Sequence, residues 1–265
     1  MTATTQQYAL DNDSSSAVGM LDCLSAILDP STIDLLTPLV PAGGRCLELG
    51  AGNGSIAAWL ADTAGPSGHV VATDVKPDHI HRHPRVRVLR HDLRCDPLPA
   101  GPFDVVHARL LLAHLPQRED LVQRLAGVLA PGGALVIEEW GAAGPAQILS
   151  SPWPQTAELY HRYQQALIAV FACSGNDPTW SVRVHATLTT AGLTGVRTTV
   201  HAGSWPGGTP GCQLPLAVST QLRARLAGQG LDPDDLDLLR THLADPRVVL
   251  LGNLTWSVTG HRAEG

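Results

Sequence analysis

The chain is short of lysine, and its cysteines and histidines lack the spacing that metal or redox sites need. Lys76 is the only lysine, so a phosphate-binding P-loop and a Tyr-x-x-x-Lys catalytic pair are both excluded. The five cysteines include no Cys-x-x-Cys pair, which disfavours a zinc ribbon or a redox motif. His79, His81 and His83 alternate between prolines and are interpreted as solvated loop residues. We therefore expect no metal centre.

Long apolar runs and an excess of basic residues are also missing. No apolar run approaches the ~18 residues of a membrane-spanning helix. Residues 1–7 have neither the basic region nor the apolar core of a secretory signal. The formal net charge of −6 gives no basic footprint for nucleic acid. These absences favour a cytoplasmic protein that binds neither nucleic acid nor membrane, and they leave its oligomeric state open.

The most informative segment that is present covers residues 45–61. Residues 46–49 have the composition of a short buried strand, Gly50, Gly52 and Gly54 form a turn, and residues 55–61 have helical composition. Such a strand, turn and helix place backbone N–H groups and the positive end of a helix dipole beside a ligand. Alternating glycines permit positive φ angles and close approach of the backbone. The segment predicts a site for a nucleotide-like cofactor.

The spacing within this segment disfavours a dinucleotide. The Gly-x-Gly-x-x-Gly fingerprint needs a third glycine where this chain has Ser55. Glu48 stands two positions before the first glycine, where its charge would repel a pyrophosphate and attract an ammonium. The ligand is therefore expected to carry no diphosphate.

Asp74 narrows the choice of cofactor. It follows a second predicted strand, residues 69–73, and lies 24 residues after Gly50. In a doubly wound sheet, an acidic residue at that position binds the ribose hydroxyls of an adenosine. A ligand with an adenosine ribose, a cationic amino-acid tail and no phosphates fits S-adenosylmethionine.

Five segments, in this order along the chain, resemble the motifs of class I S-adenosylmethionine-dependent methyltransferases. They are residues 48–54, Asp74, residues 91–93, residues 103–109 and residues 129–139. Each motif alone is weakly specific, whereas five in the right order are strongly specific. The resemblance is close over about residues 40–140 and points to the bacterial small-molecule type of specialised metabolism.

The resemblance implies a role for each residue around the cofactor. Glu48 would meet the methionine ammonium, Gly50, Gly52 and Gly54 would let the backbone pass beneath the methionine, and Asp74 would hold the ribose. The remaining implied contacts are Val75 on the adenine, Asp92 and Leu93 at its amino group, Ala108 and Arg109 along the far wall, and Tyr8 over the carboxylate.

The resemblance also implies the fold. We expect an α/β protein with a doubly wound, seven-stranded, mostly parallel Rossmann-like sheet, which the alternating strand and helix patterns favour. An N-terminal helical segment would precede the sheet, and a helical lid would be inserted between strands five and six. The predicted single domain comprises a helical cover (1–40), a cofactor-binding core (41–140), a lid (141–193) and a C-terminal part (194–265).

Methyl transfer requires that the protein align a nucleophile with the S–CH3 bond and exclude water. A general base is needed only if the nucleophile carries a proton that must leave. The carboxyl ends of strands four and five open onto the ligand crevice in such sheets. His114 and Glu139 follow those ends and are our candidates for substrate contact or base. Alternatively, His114 only caps the turn before Pro116.

Other functions stay open with less support. A nicotinamide-dependent oxidoreductase is opposed by Ser55, and a nucleic-acid methyltransferase would need an Asn/Asp-Pro-Pro-aromatic motif where residues 107–110 stand. A methyltransferase fold that performs cyclisation or decarboxylation is a further alternative, and a non-catalytic binding protein is disfavoured by the intact cofactor loop. The expected partner is a small, partly apolar metabolite, whose acceptor atom (O, N or C) the sequence does not indicate.

Overall fold

The computed structural model describes residue 10, residues 15–141 and residues 148–265. The chain predicted as a single domain divides into two compact units. The sheet unit comprises Leu28–Trp140, Trp180–Val200 and Thr255–Gly265. The helical unit comprises the described residues up to Ile27 and those within Gly141–Thr179 and His201–Leu254.

The described residues form ten strands and seven α-helices. The strands are β1 Arg45–Leu49, β2 His69–Asp74, β3 Val86–Arg90, β4 Phe103–Arg109, β5 Leu129–Trp140, β6 Ile148–Ser150, β7 Thr194–His201, β8 Ser204–Pro206, β9 Val249–Leu251 and β10 Thr255–His261. The helices are α1 Ser15–Leu36, α2 Ser55–Ala64, α3 Arg118–Gly127, α4 Thr156–Cys173, α5 Trp180–Thr190, α6 Pro210–Gly228 and α7 Pro233–Ala244.

The sheet unit contains a seven-stranded sheet with the order β3-β2-β1-β4-β5-β10-β7. Strands β1 to β5 pair in parallel, whereas β10 runs antiparallel to β5. The order reverses between β1 and β4, which is the switch point where open α/β sheets bind ligands beside the carboxyl ends of their strands. The predicted doubly wound, mostly parallel sheet is confirmed.

The two faces of this sheet differ in chemistry, because strand residues alternate between faces. On one face, Leu47 and Leu49 join an apolar cluster that includes residues of α3 and α5. The other face has an apolar cluster with residues of α1 and α2. On that second face, strands β1, β4 and β5 each carry an apolar residue followed two positions later by a polar one. The pairs are Cys46 and Glu48 in β1, Val105 and His107 in β4, and Val136 and Glu138 in β5.

The boundaries of the predicted lid, residues 141–193, differ from those of the helical unit. Helix α5 belongs to the sheet unit, because Trp180, Val184 and Leu188 recur along one helix face and are buried in its apolar cluster. The helical unit instead gains residues 201–254, a second insertion that lies between strands β7 and β10 in sequence.

The helical unit has its own core. Helices α4, α6 and α7 pack on one another, and a three-stranded sheet has the order β6-β9-β8. Tyr160 and Tyr163 of α4 are buried, and Trp153 stacks on His242 with ring centroids 4.2 Å apart. Among the described residues of both units, none of the helices is long and apolar enough to span a membrane.

Candidate functional site

The glycine turn between β1 and α2 has the backbone conformation that the sequence predicts. Gly50, Gly52 and Gly54 have φ angles of +64°, +57° and +85°. A Cβ atom on Gly50 would stand 3.0 Å from both methyl groups of Leu111, and one on Gly54 would stand 2.7 Å from Ile80 Cγ2. Only glycine combines these angles with such close neighbours. The turn therefore requires glycine at these positions and packs closely against Leu111 and Ile80 at the start of α2.

Asp74 lies at the carboxyl end of β2 and is tied to the glycine turn. Its Oδ2 accepts a hydrogen bond from the Gly52 N–H at 3.1 Å, and its Oδ1 accepts one from the Lys76 N–H at 2.9 Å. Burial raises the pKa of Asp74, and these backbone hydrogen bonds partly offset the rise. Val75, the next residue, is 46% exposed, which is unusual for a large apolar side chain. The pair offers a carboxylate and an apolar surface side by side.

The residues predicted at the adenine amino group have competing partners. Asp92 accepts hydrogen bonds from Arg94 Nε at 2.9 and 3.1 Å and from a terminal guanidinium nitrogen at 2.7 Å. Hydrogen bonding from Arg94 lowers the pKa of Asp92. Leu93 is buried in the apolar cluster, so its side chain does not line an open site. An adenine amino group would have to share the Asp92 carboxylate with Arg94.

The far-wall residues of strand β4 are also turned away from an open surface. Ala108 is fully buried in the sheet core. The guanidinium of Arg109 binds α1, donating to Thr32 Oγ1 at 2.9 Å and to Asp29 Oδ1 at 2.8 Å. The structure therefore places Arg109 in contact with the helix, and its position along the cofactor wall stays a prediction. Tyr8 lies outside the described residues.

A buried polar row, defined as Glu48, His107 and Glu138, crosses the centre of the sheet. His107 Nδ1 lies 2.7 Å from Glu48 Oε2, and its Nε2 lies 3.1 Å from Glu138 Oε2. Thr32 donates to Glu138 Oε2 and Ser257 donates to Glu138 Oε1, both at 2.6 Å. His107 and Glu138 have no exposed surface, and Glu48 is 4% exposed.

In this row a protonated imidazole bridges two carboxyl groups. Burial alone would lower the pKa of His107, but the carboxylates of Glu48 and Glu138 outweigh it and raise the pKa to about 9. Burial would raise the pKa of Glu138, yet hydrogen bonds from His107, Ser257 and Thr32 lower it to about 2. At neutral pH both imidazole nitrogens of His107 are therefore donors.

The site residues predicted from the sequence include neither His107 nor Glu138. The pairing joins residues 59 and 31 positions apart, so no local motif reveals it. The available signal was the alternation described above, since one polar residue recurs on the same face of predicted strands one, four and five.

The catalytic candidates lie around a short turn, Leu112–His114. Burial raises the pKa of Glu139 to about 7, and its Oε1 accepts from the Ala113 N–H at 3.1 Å. Arg118 donates to the carbonyls of Leu112 and Ala113, each at 3.1 Å. Burial, assisted by Arg118, lowers the pKa of His114 to about 4. Glu139 therefore anchors the turn, and its role as a base stays a prediction.

The described part of the chain contains no group of three His, Cys, Asp or Glu side chains that could hold a metal ion. His83, from the alternating histidines, instead lies 3.3 Å from Asp62 Oδ1.

Comparison with known proteins identifies the family. The profile of a methyltransferase domain family matches residues 25–171, more than half of the chain. The chain belongs to this family, whose enzymes use S-adenosylmethionine as the cofactor. The glycine turn, the Asp74 carboxylate and the exposed Val75 fit that cofactor, because its methionine needs open backbone and its adenosine needs an acceptor and an apolar surface.

Individual relatives match part of the chain. Methyltransferase str2 of Strobilurus tenacellus is 36% identical over 107 residues, across 37% of each chain. The ubiquinone/menaquinone biosynthesis C-methyltransferase UbiE of Ectopseudomonas mendocina is 29% identical over 135 residues, across 47% of this chain and 49% of that protein. The matched part thus spans about half or less of these relatives' length.

Solved structures share the fold. The phosphoethanolamine N-methyltransferase 2 of Haemonchus contortus, solved with phosphomonomethylethanolamine and S-adenosylhomocysteine, aligns with a TM-score of 0.53 at 14% identity. The alignment covers 95% of this chain and 59% of that one.

Proposed function

We propose that this protein transfers the methyl group of S-adenosylmethionine to a small-molecule acceptor in a biosynthetic pathway. The observation that carries the proposal is the glycine turn, whose Gly52 N–H is bound by the Asp74 carboxylate beside the buried polar row. UbiE supports a small-molecule acceptor, since its name places it in quinone biosynthesis. The net charge of −6 supports a partner other than nucleic acid, and the compartment that we propose is the cytoplasm.

The residues divide the work of binding. Asp74 would accept hydrogen bonds from the ribose hydroxyls, and Val75 would cover one face of the adenine. Glu48 would accept a hydrogen bond from the methionine ammonium, because its carboxylate lies near the end of β1, two residues before the glycine turn. The cofactor supplies an electrophilic methyl group when bound.

The chain's part in the chemical step is positioning and proton removal. The turn Leu112–His114 is fixed by Glu139 and Arg118, which would orient an acceptor with little loss of entropy during the reaction. Glu139, with a pKa of about 7, is matched to act as a general base near neutral pH. His114, with a pKa of about 4, would be neutral and a weak base.

Calorimetry with the full chain tests the cofactor assignment. We expect S-adenosylmethionine and S-adenosylhomocysteine to bind with low-micromolar to submillimolar dissociation constants and NAD and ATP not to bind, because Glu48 disfavours diphosphates. Tighter binding of NAD than of S-adenosylmethionine would overturn the assignment.

A second measurement separates methyl transfer from its alternatives. The protein is incubated with S-adenosylmethionine labelled on its methyl group and with pooled small metabolites from a bacterial extract. Methyl transfer predicts label in an acceptor and an equal amount of S-adenosylhomocysteine. A cyclase or decarboxylase built on this fold would leave the cofactor intact while converting its substrate.

A further inference from the structure

The buried polar row continues beyond its three members across four neighbouring strands. Glu48 of β1 pairs in register with His107 of β4, and Glu138 of β5 pairs in register with Ser257 of β10. Thr32 of α1 closes the row from outside the sheet by donating to Glu138. The residue predicted to meet the cofactor ammonium is therefore the first member of a connected, buried network.

The orientation of the Glu48 carboxylate depends on its neighbour in this row. Two carboxylates lie on either side of one imidazole, and almost no water reaches them. Without the imidazole between them, both buried carboxylates would lose a hydrogen-bond donor, which is costly for a buried polar group. The imidazole also fixes geometry, since its hydrogen bond to Oε2 leaves Oε1 of Glu48 as the other acceptor.

We propose that His107 is a positioning residue for the cofactor: its ring hydrogen bond to Oε2 of Glu48 directs the second carboxylate oxygen of Glu48 to the methionine ammonium. Glu138, with Thr32 and Ser257, fixes the imidazolium in turn. This inference rests on the proposed function, since it presumes that Glu48 meets the ammonium. It predicts that His107 affects recognition of the amino-acid tail and not of the adenosine.

Two ligands separate those effects. S-adenosylhomocysteine carries the ammonium, whereas 5′-methylthioadenosine has the same nucleoside and sulfur without the amino-acid tail. We expect His107→Gln to weaken S-adenosylhomocysteine about 10- to 100-fold, the loss typical of a charge-assisted hydrogen bond. The affinity for 5′-methylthioadenosine should change by less than about threefold. Both dissociation constants are measured by calorimetry at one pH and ionic strength.

Two further variants sharpen the result. Glu48→Gln should give the same selective loss, and the double variant Glu48→Gln/His107→Gln should be no worse than Glu48→Gln alone, because the two residues act on one interaction. His185→Gln is the matched control. His185 is an exposed histidine of the sheet unit that lies 2.8 Å from Thr198, outside the buried polar row, and its replacement should leave both affinities unchanged.

The outcomes distinguish this proposal from the one on which it rests. A wild-type protein that binds neither ligand would overturn the proposed function and, with it, the role of His107. Wild-type binding combined with an equal loss of both ligands in His107→Gln, or with no loss, would overturn only the role of His107.

The wild-type protein offers a second test that is independent of whether His107→Gln folds. Nitrogen-15 NMR of the imidazole groups should show both nitrogens of His107 protonated at pH 7.5, and S-adenosylhomocysteine should shift these signals more than 5′-methylthioadenosine does. A neutral His107, or equal shifts from both ligands, would contradict the proposal.

Discussion

At the scale of single residues, the site combines side chains that satisfy one another with side chains that point to a ligand. Asp74 belongs to both groups, because its two oxygens already accept from the Gly52 and Lys76 N–H groups while the lone pairs that remain can accept from a ribose. Asp92 shows the opposite balance, since Arg94 binds both of its oxygens. We therefore expect Asp74 to contribute more than Asp92 to the affinity for the cofactor.

Replacement of Asp74 tests the stronger of the two contacts. Asp74→Ala should weaken S-adenosylhomocysteine about 10- to 100-fold, because a charged acceptor for two hydroxyl groups contributes ~1.5–3 kcal/mol. Calorimetry measures the change, and Asp78→Ala, at an exposed aspartate nearby, serves as the control. An unchanged dissociation constant in Asp74→Ala would show that the ribose binds elsewhere.

The raised pKa of His107 makes stability depend on pH. Its folded-state pKa of about 9 exceeds the ordinary 6.5, so the ionised row stabilises the fold fully below pH 6.5 and loses that contribution as the pH rises through 9. Glu138, with a pKa of about 2, stays ionised over this range. The midpoint temperature of thermal unfolding of the wild type should therefore fall by several degrees between pH 6.5 and 9. His107→Gln should show a flatter profile, and parallel profiles would contradict the assignment.

At the scale of elements, the turn Leu112–His114 after β4 is fixed from two sides. Glu139 accepts its N–H groups and Arg118 donates to its carbonyls, so both polarities of the backbone are satisfied. Leu110, just before the turn, has a φ of +52°, a left-handed angle that few leucines adopt. The turn is thus held in one conformation by hydrogen bonds, and it lies at the carboxyl edge of the sheet, where an acceptor would be expected.

Glu139→Gln separates anchoring from catalysis. The amide oxygen of glutamine can still accept from Ala113, so the thermal midpoint should stay within a few degrees. Loss of a general base should lower turnover by ~10²–10⁴-fold, with S-adenosylmethionine affinity changed by no more than a few-fold. Turnover is measured as S-adenosylhomocysteine release on the true acceptor.

His114→Ala is the companion variant, for which the sequence predicts the same loss of turnover. Near-full activity in both variants would show that neither residue is the base and that Glu139 serves only to hold the turn Leu112–His114.

At the scale of the whole molecule, the sequence predicted the features that depend on residues close to one another along the chain. The strand, turn and helix over 45–64 follow from neighbouring residues, as does the position of Asp74, and the seven-stranded sheet follows from the order of such segments. Helix α5 was assigned to the lid because its periodicity shows a buried face but not the partner of that face. His107 was missed for the same reason, since its partners come from two other strands.

The assignment of α5 to the sheet unit has a stability consequence. Trp180→Ala should lower the free energy of unfolding by ~3–5 kcal/mol, because it leaves a large cavity in a fully buried site. Trp180→Phe, which keeps most of the volume, should cost less. Denaturant unfolding monitors both variants, and a negligible effect of Trp180→Ala would show that α5 packs loosely on the sheet.

The shared hydrogen bonds of the buried polar row constrain how this chain can diverge. Removal of one charged partner from such a set costs ~3–5 kcal/mol, whereas joint replacement by apolar residues of similar volume is often neutral. We therefore expect Glu48, His107 and Glu138 to be replaced together rather than one at a time during evolution. Descendants that lose the histidine should lose or neutralise a carboxylate in the same step, because a chain that keeps both buried carboxylates without the histidine would be less stable.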